Sequence, residues 1–179
     1  MNLPNRLTVL RVCMVPVFVV FMLWNGLGSS AKYVAAVIFI LASMTDWLDG
    51  YLARKNNLVT DFGKFMDPIA DKLLVCSALI CLVEKGALAA WIVIIIIGRE
   101  FIISGFRLVA SDKGVVIAAS YWGKFKTVSQ MLMVILLILD LGGAFNVVAQ
   151  VLIWIAVILT VVSLVDYLVK NRSVLAGEM

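Results

Sequence analysis

The sequence predicts an all-α membrane protein with six transmembrane helices, both termini in the cytosol, and a single domain over residues 1–179. Three observations lead there. Hydrophobic residues make up 64% of the 179 and mean hydropathy is +1.10, more apolar surface than a soluble domain of this length can bury. Apolar runs recur along the chain, each near the roughly 20 residues a bilayer core requires. Lysine and arginine concentrate in alternate connections, the asymmetry that sets orientation in a membrane.

The runs follow in order. Leu7–Trp24 ends at Asn25-Gly26-Leu27-Gly28, and Lys32–Ala53 ends at Lys55-Asn56-Asn57. Lys64–Val83 ends at Glu84-Lys85-Gly86, and Ala87–Ala110 leads into the longest and most polar connection, Ser111–Lys124. Phe125–Leu141 meets Gly142-Gly143, and Val147–Val169 is the last run. Arg6 and Arg11 open the chain, and Arg54, Lys55 and Lys64 flank the second connection. Arg107, Lys113, Lys124 and Lys126 flank the fourth, and Lys170 and Arg172 lie at the end. The intervening connections hold only Lys32 and Lys85, so the termini and connections two and four are predicted on the cytosolic side.

Composition also narrows the chemistry. Histidine is absent, which removes the usual general base and the usual zinc ligand. Cys13, Cys76 and Cys81 lie in apolar runs and read as buried, inert thiols. No small-residue cleavage site follows the first run, so it reads as a span rather than a signal peptide. The net charge of +4 reads as a belt toward anionic lipid headgroups, and no nucleic-acid partner is expected. Tryptophans fall mostly near predicted span ends, as an interfacial belt would, and Asp140 and Asp166 read as solvated.

The second and third spans are unusual. The uncharged stretch Tyr33–Thr45 is too short to cross alone, as is Leu73–Val83. Asp46, Asp49, Asp67 and Asp71 therefore lie within or at the edge of the cytosolic leaflet, where lipid would reject them and a protein-lined, wet cavity would not. Asp46 and Asp49 are three apart on one helix, with Gly50 and Ala53 continuing that face. Asp67 and Asp71 are four apart on the next. Four carboxylates at close range repel unless cations intervene, and hard divalent ions with oxygen ligands, Mg²⁺ or Mn²⁺, fit best. Two ions about 3.5–4 Å apart would suit phosphoryl chemistry. Gly50 and Ala53 leave room for a ligand near the backbone, and Arg54 suits paired hydrogen bonds to a phosphate.

The full spacing, D-x2-D-G-x2-A-R-x8-G-x3-D-x3-D from Asp46 to Asp71, resembles the signature of the CDP-alcohol phosphatidyltransferase family. The resemblance implies a six-helix membrane domain, dimeric, with its active site open to the cytosol of a bacterial cell membrane. It implies transfer of a phosphoalcohol group from a CDP-alcohol to a second alcohol, with release of CMP. By that resemblance Asp46, Asp49, Asp67 and Asp71 hold the metal, and Asp71 also takes the proton of the attacking hydroxyl. Gly50, Ala53, Arg54 and Thr60 contact the CDP-alcohol. The opening Pro4-Asn5-x2-Thr8-x2-Arg11 is similar to the family's first segment, which places Asn5, Thr8 and Arg11 against the nucleotide.

The acceptor has to be read elsewhere. Arg107, Lys124 and Lys126 lie on the same predicted side and suggest an acceptor that itself carries phosphate. Glu100 and Arg107, seven apart, share a face, whereas adjacent Arg99 is expected to point away from it. The chain from Asn2-Leu3-Pro4-Asn5 through Gly98-Arg99-Glu100 to Gly123-Lys124-Phe125-Lys126-Thr127 resembles bacterial members that join CDP-diacylglycerol to glycerol 3-phosphate. Inositol phosphate or serine as acceptor, an ion-coupled transporter, and a lipid-binding scaffold are the alternatives.

Overall fold

The computed structural model describes residues 3–24, 26, 28, 30–55, 61–112 and 120–172, with the side chains of 3–4, 46–55, 61–65, 67–68 and 112 outside the description. Among the described residues all regular structure is helical: α1 Leu3–Leu23, α2 Ala31–Lys55, α3 Asp61–Glu84, α4 Ala90–Asp112, α5 Tyr121–Leu139 and α6 Ala144–Lys170. Among the described residues three stretches, Asn5–Leu23, Tyr121–Leu139 and Ala144–Lys170, are long and apolar enough to cross a membrane. Among the described side chains, the apolar part of α2 runs Ala31–Thr45. Helices α1 and α5 start about one turn before the apolar runs at Leu7 and Phe125. Hydropathy marks the bilayer crossing, whereas backbone hydrogen bonding continues through the polar flank.

The helices group into two compact units, one of Met1–Leu88 with Leu137–Leu139, the other of Ala89–Leu136 with Asp140–Met179. In the first, α1 packs against both α2 and α3. Its inward stripe runs Asn5, Thr8, Arg11, Val15, Phe18, Met22, the three-four spacing of one helix face. Facing it, α2 buries Phe39 and four alanines, Ala31, Ala35, Ala36 and Ala42, small residues that let two backbones approach where lipid gives no hydrophobic drive to association. Phe18 and Phe39 meet with ring centroids 6.0 Å apart. Phe39→Ala is expected to cost about 2–3 kcal/mol, mostly the cavity term, read as a lower melting temperature in detergent. Helix α3 buries Ala70, Leu74, Ala78 and Leu82 and ends where the sequence breaks. Gly86 adopts φ +71°, and the N–H groups of Gly86 and Ala87 donate to the carbonyls of Val83 and Leu82, a Schellman cap.

In the second unit α4 and α6 run parallel. Trp91 meets Trp154 at 6.2 Å, and further along Phe106 meets Tyr167 edge-on at 5.7 Å. Ser120 caps α5 by accepting from the Gly123 N–H, and Asp140 closes its other end at φ 41° before Gly142 and Gly143 turn the chain into α6.

Three local expectations are corrected. Cys81 is buried, but Cys76 is half-buried and Cys13 is exposed beside Val9, Leu10 and Val17. An apolar neighbourhood does not imply burial when the outward side of a helix is as apolar as its packed side. Trp154 lies well inside α6, tilted against Trp91, rather than at a span end. Asp166 is mostly buried, with Lys170 Nζ 2.7 Å from its Oδ1.

Candidate active site

In the first unit, α1 brings its polar residues to one place. Asn5, Thr8 and Arg11 occupy the N-terminal half of the buried stripe and are 8%, 1% and 0% exposed, while the other half is apolar. A buried guanidinium is costly unless polar or anionic groups surround it. The Phe18–Phe39 contact fixes the level of the antiparallel α2. Stepping seven residues from Phe18 to Arg11, and seven from Phe39 to Asp46, moves both helices about 10.5 Å in the same direction. Arg11 and position 46 therefore lie at one height. The spacing of Ala35, Phe39 and Ala42, carried on along the sequence, falls on positions 46, 49 and 53. On α3, positions 67 and 71 precede buried Leu74 by two turns and one.

Asp46, Asp49, Gly50, Ala53 and Arg54 thus lie on the last turns of α2, and Asp67 and Asp71 on the first turns of α3. Both helices pack against α1. Asp71 is half-buried. The side chains of Asp46, Asp49, Arg54 and Asp67, and all of Thr60, lie outside the described residues. Among the described residues no cluster of three or more metal-type ligands occurs.

The second unit holds the other predicted cations. Arg107 is exposed, its guanidinium carbon 5.8 Å from the centroid of the Tyr167 ring, and exposed Lys124 lies 5.3 Å over Tyr121. Lys126 is 2% exposed and donates to Glu100 Oε1. The same carboxylate oxygen accepts from Arg99 Nη1 at 3.0 Å, and Arg99 Nε donates to Ser163 Oγ at 3.2 Å. A Cβ on Gly123 would come within 3.2 Å of Arg99 Nη2, so the guanidinium lies close against the backbone of α5 there. Arg99 therefore does not point away from Glu100, as adjacency on a helix suggests. Its long side chain folds back onto its neighbour.

The sequence model of the CDP-alcohol phosphatidyltransferases matches residues 1–162. The chain belongs to this family. A CDP-diacylglycerol–glycerol-3-phosphate 3-phosphatidyltransferase of Bacillus subtilis is 47% identical, over 97% of each chain. Proteins of the same name from Haemophilus influenzae and Rickettsia typhi are 42% and 41% identical, the first over 93% of this chain and 91% of its own, the second over 93% and 94%. The family match spans both units, so the Asp motif of α2–α3 and the cationic residues of α4–α5 belong to one phosphatidyltransferase sequence.

Within this phosphatidyltransferase the sequence assigned no role to Glu100, Ser163 or Tyr167. Glu100 and its neighbour Arg99 were visible as charges in an apolar run, and Ser163 as a hydroxyl in the most apolar helix. Their partners, 26 and 64 residues away in sequence, were not.

Proposed function

We propose that this phosphatidyltransferase moves the phosphatidyl group of CDP-diacylglycerol to glycerol 3-phosphate, giving phosphatidylglycerophosphate and CMP. The observation that carries it is the packing of the buried Asn5–Thr8–Arg11 stripe of α1 against the two helices that bear the Asp motif. The names of the relatives support glycerol 3-phosphate as acceptor. The protein works as a homodimer in a bacterial cell membrane, with six spans, both termini cytosolic and the reaction on the cytosolic side. The alternation of charged connections and the three long apolar helices support that arrangement.

The four carboxylates, in a chain without histidine, form a hard oxygen donor set that suits Mg²⁺ or Mn²⁺. Asp46, Asp49, Asp67 and Asp71 would hold the metal, which when bound neutralises the pyrophosphate and stabilises the departing CMP. Arg11 and Arg54 bind phosphate oxygens of the nucleotide-lipid, Asn5, Thr8 and Thr60 contact the CDP moiety, and Gly50 and Ala53 leave it space. Asp71 takes the proton of the acceptor hydroxyl as its oxygen attacks phosphorus. Arg107, Lys124 and Lys126 bind the acceptor's phosphate.

CMP release by purified protein in detergent tests this directly. With CDP-diacylglycerol and Mg²⁺, release is expected with glycerol 3-phosphate but not with serine or inositol phosphate. EDTA should abolish it, and added Mg²⁺ or Mn²⁺ should restore it. Release with another alcohol would move the acceptor, and release unaffected by EDTA would remove the metal assignment.

A further inference from the structure

Side chains from three helices of the second unit are linked in one polar cluster, with two cations on one carboxylate oxygen. Glu100 Oε1 on α4 accepts from Lys126 on α5 and from Arg99, and Arg99 is tied to Ser163 on α6. Ser163 is 0% exposed, and its hydroxyl donates to the Thr160 carbonyl at 3.0 Å, which leaves the oxygen to accept from Arg99. The side chains of Arg99, Glu100 and Lys126 are 10%, 21% and 3% exposed.

Stability does not account for this arrangement. Desolvating two cations and a carboxylate costs about as much as their attraction returns, and apolar residues of similar volume often serve as well or better. What the arrangement does supply is a fixed position. A lysine ammonium rides on a four-carbon stem and is a compact point charge whose location nothing local defines. Here Glu100 Oε1 accepts from it. The two bonds from Arg99 to Glu100 and Ser163, and the bare backbone of Gly123 beside its Nη2, hold the carboxylate's other partner in turn. Two cations against one carboxylate leave the trio net positive. An ammonium with three donors can hold a carboxylate and a phosphate oxygen together.

We propose that Glu100 is a positioning residue for the acceptor. It fixes the Lys126 ammonium where that group meets the phosphate of glycerol 3-phosphate, and Arg99 and Ser163 keep Glu100 in place. The proposal rests on Lys126 binding the acceptor phosphate, and the experiment separates the two. Steady-state kinetics are measured on full-length Glu100→Gln, Ser163→Ala and Lys126→Ala proteins in detergent, varying each substrate, with melting temperatures alongside.

Glu100→Gln is expected to raise KM for glycerol 3-phosphate roughly tenfold or more, the loss of a charge-assisted hydrogen bond, with kcat and KM for CDP-diacylglycerol within about threefold. Ser163→Ala, which removes the hydrogen bonds to Arg99 and to the Thr160 carbonyl but no charge, should shift the same KM in the same direction by less. If Glu100→Gln does not fold, Ser163→Ala decides. An unchanged or lowered KM for glycerol 3-phosphate overturns the proposal, a lowered one because Glu100 would then compete with the phosphate. A parallel change in kcat and both KM values also overturns it, since that is loss of structure. If Lys126→Ala leaves KM for glycerol 3-phosphate unchanged, the acceptor role of Lys126 fails and the proposal with it. If only Lys126→Ala raises it, the role of Glu100 fails alone.

Discussion

Asp71→Asn is expected to lower turnover by at least about a thousandfold, with the protein still folded. Asparagine keeps the size of the side chain but has no charge to accept a proton or hold a divalent ion. The change leaves the apolar packing of the helix in place. Asp71 is half-buried on α3, and the packing of that helix rests on Ala70, Leu74, Ala78 and Leu82. The measurement is CMP release at saturating substrates, with melting temperature in detergent as the check on folding. Wild-type turnover in the folded variant would remove Asp71 from both the proton transfer and the metal site.

Arg11→Met is expected to raise KM for CDP-diacylglycerol about a hundredfold, the loss of paired charge-assisted hydrogen bonds worth about 1.5–3 kcal/mol each. Methionine keeps most of the apolar stem and removes the guanidinium. Arg11 is 0% exposed, on the same face as Asn5 and Thr8, and level with position 46 of the Asp motif. KM for glycerol 3-phosphate should change little, because the acceptor is assigned to Arg107, Lys124 and Lys126. A selective rise in the acceptor's KM would exchange the two assignments. An unchanged KM for the nucleotide-lipid would return Arg11 to the role of a topology anchor.

The helices and their breaks were legible because each depends on neighbours in the chain. Gly86 ends α3 and Gly142-Gly143 separates α5 from α6, where backbone freedom is needed for a left-handed turn. The apolar runs marked the helix interiors, but the polar first turns of α1 and α5 fell outside them. Burial was less legible. Cys13 and Cys81 both sit in apolar runs, yet one is exposed and the other buried. In a membrane both sides of a helix are apolar, so hydropathy loses the contrast that marks a core in a soluble protein.

The Asp motif, the polar face of α1 and the family follow from the sequence alone. A three-four spacing puts residues on one helix face wherever the helix packs, and a nearby connection brings α2 and α3 together. The partners of the cations do not follow. Lys124 and Lys126 are chemically alike and two residues apart, yet one is exposed over Tyr121 and the other is buried on Glu100. Which lysine meets the carboxylate depends on how α4, α5 and α6 rotate about their axes, set by the Trp91–Trp154 and Phe106–Tyr167 contacts and by the space beside Gly123. Those are contacts between residues far apart in the chain, made by packing, and no local pattern encodes them.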